Sequence, residues 1–396
     1  MDKTIVPPLK ERILAIDLLR GIVMIIMALD HVRDYFHKDA FFFDPSDLSK
    51  TNTALFFTRW ITHFCAPVFV FLAGTSAYIV GSKKGSAALS KFLFTRGIWL
   101  IFLEVIVVNF GWQFEIHAHT ILLQTIWALG VSMVALAFLV RLPYKLILVI
   151  SLLFIAGHNA LDTFHVKGNA ANAFFWSVLN DPNFFQYTSA SIYVAYPVLA
   201  WIGVMAAGYC FGKIYIDHDV AKRKPMLLWI GSICVVLFIF LRLSNVYGDK
   251  NPWGHQDSII FTLISFLNCT KYPPSLLYLL MTIGPAIVFL GLSETPLNRF
   301  KRVVSTFGRV PMFYYLAHIY IIHLAAMLAV IISGYKWTVM IFPSWVTRNP
   351  ALHGYGYSLG VVYIIWIMLV IALYPLCRWY DRYKAAHREK WWLSYL

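Results

Sequence analysis

Apolar residues run along this chain in blocks of about twenty, the length that carries one helix across a bilayer core. Ten such blocks are read at 13–35, 59–81, 92–111, 119–140, 143–161, 190–212, 226–244, 275–292, 309–332 and 358–380. The pattern predicts an all-α polytopic membrane protein, a single bundle of about ten transmembrane helices with both termini cytoplasmic. The ninth block starts weakly, and only Leu142–Pro143 separates the fourth from the fifth, which leaves nine and eleven spans as alternatives. The first block lacks a small-residue cleavage pattern and is expected to stay as the first span. Residues 10–12 read as a cytoplasmic lead-in and 381–396 as a cytoplasmic interfacial tail around one integral domain covering 1–396.

Charge orients the bundle. With the N-terminus inside, the inner loops gather Lys83, Lys84, Lys91 and Arg96, then Lys222, Arg223 and Lys224, then Arg299, Lys301, Arg302 and Arg309. Outer loops carry scattered cations only, as the positive-inside rule requires. The same rule disposes of the +14 net charge as a nucleic-acid signal. The composition, 60% hydrophobic and 13% charged, excludes a soluble globular domain. The five cysteines form no C-x-x-C pair and read as small packing residues. The spacing of Gly74 and Gly81 reads as helix packing. Longer outer loops, about 36–58, 162–189, 245–274 and 333–357, are rich in amides and aromatics. Such residues anchor at the interface or stack on sugar rings.

The first block is unlike the rest. It holds Asp17, Arg20, Asp30 and His31, with Arg33 and Asp34 just beyond. A charge at mid-membrane costs roughly 3 kcal/mol on insertion scales, so such groups face a protein interior and serve a function. Asp17, Arg20, Met24, Met27, His31 and Asp34 step by three or four and share one face. Arg20 and His31 lie about three turns, roughly 16 Å, apart on it. His31 is the candidate general base, with Asp34, or failing that Asp30, expected to orient its ring. Arg59 and His63, four apart at the start of the second block, are candidates for the acceptor side. Pro67 frees a carbonyl one turn earlier, near His63. Arg309 is a further candidate for cofactor phosphates, although its place in an inner loop already accounts for it. His318 is read as a neutral mid-membrane histidine bonding a neighbouring helix, and no two histidines are expected to pair there. Glu104 is expected to meet a cation, Arg20 or Arg96. No P-loop, dinucleotide fingerprint, H-E-x-x-H or G-x-S-x-G is present, and no metal is predicted.

Four segments together resemble a family. They are I-D-L-L-R-G-I-V-M-I-I-M-A-L-D-H-V-R-D with ten residues between Arg20 and His31, H-F-C-A-P-V-F-V-F-L-A-G from His63, K-Y-P-P-S-L-L-Y-L-L-M from Lys271 and F-G-R-V-P-M-F-Y-Y-L-A-H-I-Y from Phe307. They are similar to bacterial membrane proteins of the heparan-alpha-glucosaminide N-acetyltransferase-like group, and the Arg–ten–His element to transmembrane acyltransferases at large. The resemblance implies acyl transfer from cytosolic acetyl-CoA or another acyl-CoA to an extracytoplasmic glycan or other small acceptor. It further implies an essential histidine at His31 and its arginine at Arg20. The inner membrane is the expected location, and the assembly is open between monomer and homodimer. The rival class is a proton- or ion-coupled transporter using the same stripe. An electron-transfer protein with histidine ligands is a third.

Overall fold

The computed structural model describes residues 13–188, 190–294, 298–344, 349–387 and 389–394. The lead-in at 10–12 and Arg348, Arg388 and Tyr395 lie outside the described residues. The protein is mostly helical with one small sheet. Among the described residues, seven helical stretches are long and apolar enough to cross a membrane: Thr53–Lys84, Ser86–Gln113, Tyr144–Leu161, Leu199–Asp217, Val220–Ser244, Pro311–Ile332 and Leu359–Ala386. Two shorter apolar helices, Thr125–Leu139 and Leu276–Leu292, accompany them.

Helix α1 (Leu14–Phe36) has 23 residues, about 34 Å at 1.5 Å per residue, and is the charged span of the sequence pattern. Next come α2 (Thr53–Thr62), capped by the Asn52 side chain on the Leu55 N–H, and α3 (Cys65–Lys84). Helix α4 (Ser86–Leu103) passes through a π-turn, Glu104–Val108, into α5 (Asn109–Gln113). After strand β1 (Thr120–Leu123) follow α6 (Thr125–Leu139), α7 (Tyr144–Gly157) and α8 (Ala171–Leu179). Strands β2 (Asn183–Gln186) and β3 (Ser191–Val194) lead to α9 (Leu199–Asp217), α10 (Val220–Ser244) and α11 (Ile259–Leu267). The chain ends with α12 (Leu276–Leu292), α13 (Arg299–Arg309), α14 (Pro311–Ile332) and α15 (Leu359–Ala386).

Two expected helices therefore start late. Residues 120–123 and 191–194 are strands, paired in parallel with Thr120 opposite Ser191, and β2 adds antiparallel to β3. Short apolar runs carry no period that separates strand from helix. The outer edge of β1 is closed by side-chain amides rather than by another strand. Asn109 takes the Leu122 N–H (2.7 Å) and gives to the Leu122 carbonyl (2.9 Å), and Gln113 gives to the Thr120 carbonyl (3.0 Å). Non-helical backbone within a bundle needs such partners. Arg309 closes α13, and α14 starts at Pro311, whose missing N–H suits a first helical turn. The run expected at 358–380 continues as helix to Ala386, so the tail begins inside α15.

Close helix contacts rest on small residues. A Cβ on Gly21 would lie 2.1 Å from the Val304 carbonyl oxygen, and one on Gly308 would lie 2.0 Å from that of Asp17, so α1 and α13 touch backbone to backbone. Gly74 and Gly208 make the same contact between α3 and α9, at 2.0 and 2.1 Å, the packing role expected for Gly74.

Candidate active site

The second half of α1 gathers a buried charge cluster. Asp30 pairs with Arg33 one turn on (2.8 Å) and with Arg59 of α2 (2.6 Å), and Arg33 also holds Asp34 (2.6 Å). Both guanidiniums are nearly covered, so each carboxylate offsets a charge that would be costly alone. The loop from 245 to 275 brings two more groups. Arg242, 1% exposed, donates to the carbonyls of Phe266, Asn251, Ser265 and Asn268 at 2.8–3.0 Å. Asp249 takes the Thr270 N–H and the hydroxyls of Thr270 and Ser275. This frame holds Lys271 and Tyr272 beside the Asp30 cluster, with the Lys271 ammonium 5.2 Å from the Tyr272 ring centre. Burial works against the Tyr272 phenolate, yet Lys271 and Arg59 lower its pKa overall. Asp44, in the loop after α1, is likewise opposed by burial and held below the ordinary carboxylate range by Arg59 and by two bonds from Ser46.

His31 does not meet Asp34. Its Nδ1 lies 2.7 Å from Nε2 of His318 on α14, and Nδ1 of His318 lies 2.7 Å from the Tyr314 carbonyl oxygen. The expected Asp34–His31 contact is replaced because the adjacent Arg33 takes the Asp34 carboxylate, and Asp30 is taken by Arg33 and Arg59. The two histidine planes are 4° apart with ring centres separated by 4.9 Å. That is the spacing of rings joined edge to edge, so the contact is an in-plane bond and not a face-to-face stack. Trp112 braces His31 edge-on at 4.7 Å. The expectation that no two histidines pair is corrected here, while His318 does bond a neighbouring helix as read.

Two cavities meet beside this pair. The larger, about 460 Å³, is lined by Arg20, Arg96, Arg309 and Lys384 and by Met24 and Met27. The smaller, about 130 Å³, holds His31, Asp30, Asp34, Arg59, Lys271 and Tyr272. Met27, Phe69, Thr125 and Tyr315 border both. Arg20, Met24 and Met27 of the stripe on α1 thus line the larger cavity and Met27, His31 and Asp34 the smaller, with basic residues at the Arg20 end and an imidazole at the other. Buried donors that lack a protein partner, Arg59 Nε and Gln124 Nε2, belong to residues of the smaller chamber.

A family model described as heparan-alpha-glucosaminide N-acetyltransferase, catalytic, matches residues 12–242. The match spans more than half of the chain and contains Arg20, His31, Arg59 and His63. The chain belongs to the heparan-alpha-glucosaminide N-acetyltransferase catalytic family. A search of curated proteins returned no match.

For this heparan-alpha-glucosaminide N-acetyltransferase-like chain, the family marks a membrane acetyltransferase, and the apolar helices agree. The remaining expected residues fall as follows. Arg20 bonds Ser76 Oγ (2.9 Å), approaches Asp17 (3.5 Å) and lines the larger cavity. Arg309 lines it too, but its guanidinium is clamped on Asp381 of α15 (2.7–3.0 Å). Its charge is therefore largely offset, which the loop position alone did not reveal. Arg59 enters the smaller chamber and His63 does not. His63 caps α2, and its carbonyl, freed by Pro67, accepts the Tyr278 hydroxyl (2.7 Å). Glu104 meets neither Arg20 nor Arg96. Its Oε2 accepts the Trp127 N–H (3.0 Å) at the start of α6, because a helix N-terminus offers unpaired donors as readily as a side chain does. Sequence reasoning did not reach His318 as the partner of His31, nor Lys271, Tyr272 and Gln124 as chamber residues. The paired prolines after Tyr272 were the available signal for the loop.

Proposed function

We propose that the protein transfers an acetyl group from acetyl-CoA, held in the larger cavity on the cytoplasmic side, to an amine or hydroxyl of a glycan or other small acceptor in the smaller, outer chamber. The ten-span reading with both termini inside supports this direction: α1 and the two shorter apolar helices bring the seven long apolar stretches to that number. The observation that carries the proposal is that the two cavities lie side by side and share Met27, Phe69, Thr125 and Tyr315 in their linings. Four basic residues line the larger one, with Arg309 offset by Asp381 and Arg20 approached by Asp17, and a basic lining suits a phosphorylated donor. Its volume lies in the range of about 300–1,000 Å³ usual for ligand pockets.

In the proposed reaction His31 Nε2 takes the proton of the acceptor N–H or O–H as the acceptor attacks the thioester carbonyl carbon. The carbonyl oxygen becomes an oxyanion, for which Arg59 Nε and Gln124 Nε2, buried donors without a protein partner on residues that line the smaller chamber, are the proposed donors. Collapse breaks the C–S bond, and CoA leaves as the thiolate. Nothing in the fold favours the transporter reading.

The test is His31→Ala. General base catalysis contributes about 10²–10⁴-fold, so turnover falls by at least about 10² while acetyl-CoA binding, read by calorimetry, is retained. Near-normal acetylation by His31→Ala, or no acyl-CoA binding by folded wild-type protein, refutes the proposal.

A further inference from the structure

We infer that His318 is the positioning residue that fixes the tautomer of His31 and so leaves His31 Nε2 as the base. The inference rests on the proposed role of His31. Its geometry is independent of that role.

A backbone carbonyl only accepts, so the 2.7 Å contact from the Tyr314 oxygen places a hydrogen on His318 Nδ1. In a neutral ring the other nitrogen, Nε2, then bears a lone pair. It lies 2.7 Å from His31 Nδ1, where two lone pairs would repel, so His31 Nδ1 carries a hydrogen and donates it. A neutral His31 then has its own lone pair on Nε2. Of the two rings only His31 borders the smaller chamber, and His318 is fully buried behind it.

The neutral state follows from the surroundings. The charged and titratable groups around the pair include Asp30, Arg33 and Asp34 on α1, Arg59 on α2, Lys271 on the outer loop, and Tyr314 and Tyr315 on α14. Among the described residues no carboxylate lies within ion-pair distance of either ring. A resident charge there would be buried and unpaired, which is costly. The in-plane alignment of the rings also points the His31 N–H along the lone pair of its partner, the direction a hydrogen bond prefers. When His31 takes the acceptor proton, its Nδ1–H still meets a lone pair and not a second N–H. The carboxylate of a Ser-His-Asp triad does the same work with a full negative charge.

The experiment compares His318→Leu, which fills the space but accepts no bond, with His318→Gln, whose carbonyl oxygen can accept from His31. Losing the tautomer-setting carboxylate of a triad costs about 10⁴-fold, and a neutral partner is expected to be worth about 10²-fold. The expected result is a fall in kcat of about 10²-fold for His318→Leu, with KM for acetyl-CoA unchanged and recovery of most of the loss in His318→Gln. Nitrogen-15 NMR of histidine-labelled wild-type protein is expected to show His31 protonated at Nδ1 and bare at Nε2, with His318→Leu moving toward a mixture. A merely structural His318 would affect both variants alike and leave the His31 tautomer unchanged. Wild-type kcat in His318→Leu, or a wild-type His31 protonated at Nε2, overturns the inference. Should His318→Leu fail to fold, the wild-type spectrum alone still decides. His31→Ala run in parallel separates the two claims: if it stays active the base assignment falls, and if it is inactive beside a fully active His318→Leu only this inference falls.

Discussion

Replacing Gly308 with alanine tests whether the contact between α1 and α13 sets the proposed donor cavity. The added Cβ would lie 2.0 Å from the Asp17 oxygen, 2.7 Å from the Gly21 nitrogen and 3.0 Å from the Asp17 carbonyl carbon. All three are backbone atoms, so no side chain can swing aside. Reaching even the 3.0 Å limit for a Cβ contact requires the helices to part by about 1 Å, the gap between that limit and the 2.0 Å approach. Overpacking of this kind costs about 1–3 kcal/mol. Arg20 lies between Asp17 and Gly21, and its Nη1 faces the Gly308 carbonyl at 3.4 Å, so it moves with the turn. A hydrogen bond to a charged group is worth about 1.5–3 kcal/mol. Losing one such bond to the donor raises the acetyl-CoA Kd about tenfold or more. Thermal unfolding in detergent reads the first effect and calorimetry with acetyl-CoA the second. Gly360→Ala is the control, since its Cβ meets only Ser358 Oγ at 4.0 Å. If Gly308→Ala unfolds and binds donor as Gly360→Ala does, the close contact is not what positions Arg20.

Met27 lines both cavities, and Met27→Trp should separate them. Turnover falls by about 10²-fold because the reactants no longer approach to about 3–3.5 Å, while donor affinity, read by calorimetry, stays near wild type. Asp30→Asn leaves the buried Arg33 and Arg59 undercompensated, with an expected loss of about 3–5 kcal/mol in unfolding measurements. Adding Arg59→Met to it should restore part of that loss, and no restoration would argue against the pairing. Tags at both termini should be reachable only from the cytoplasm and loop 162–189 only from outside. A C-terminal tag that labels from outside makes the number of spans odd.

The first span was legible because charge inside an apolar block is rare and helical phase is simple arithmetic. Arg20, Met24 and Met27 line one cavity, and Met27 and His31 the one beside it. What the phase could not supply is which neighbour wins. Asp34 lies on the face of His31, but Arg33 is adjacent and its charge takes the carboxylate. His318 is 287 residues away, and no local rule reaches that far. Glu104 shows the same bias toward side chains, since its partner is a helix end. Strands β1 and β3 were hidden because a short apolar run reads alike in both geometries.

The frame around Arg242 has a consequence for how this enzyme could diversify. All four of its bonds go to main-chain carbonyls, which every residue possesses. Residues 251, 265, 266 and 268 can therefore exchange side chains without losing their bonds to Arg242, while Asp249 and Thr270 hold the frame by their own side chains. On the proposed reading, new acceptor preferences are then open to point substitution at the chamber rim, whereas Arg242 itself admits no conservative replacement. A lysine lacks the fixed fork of donors that those carbonyls engage.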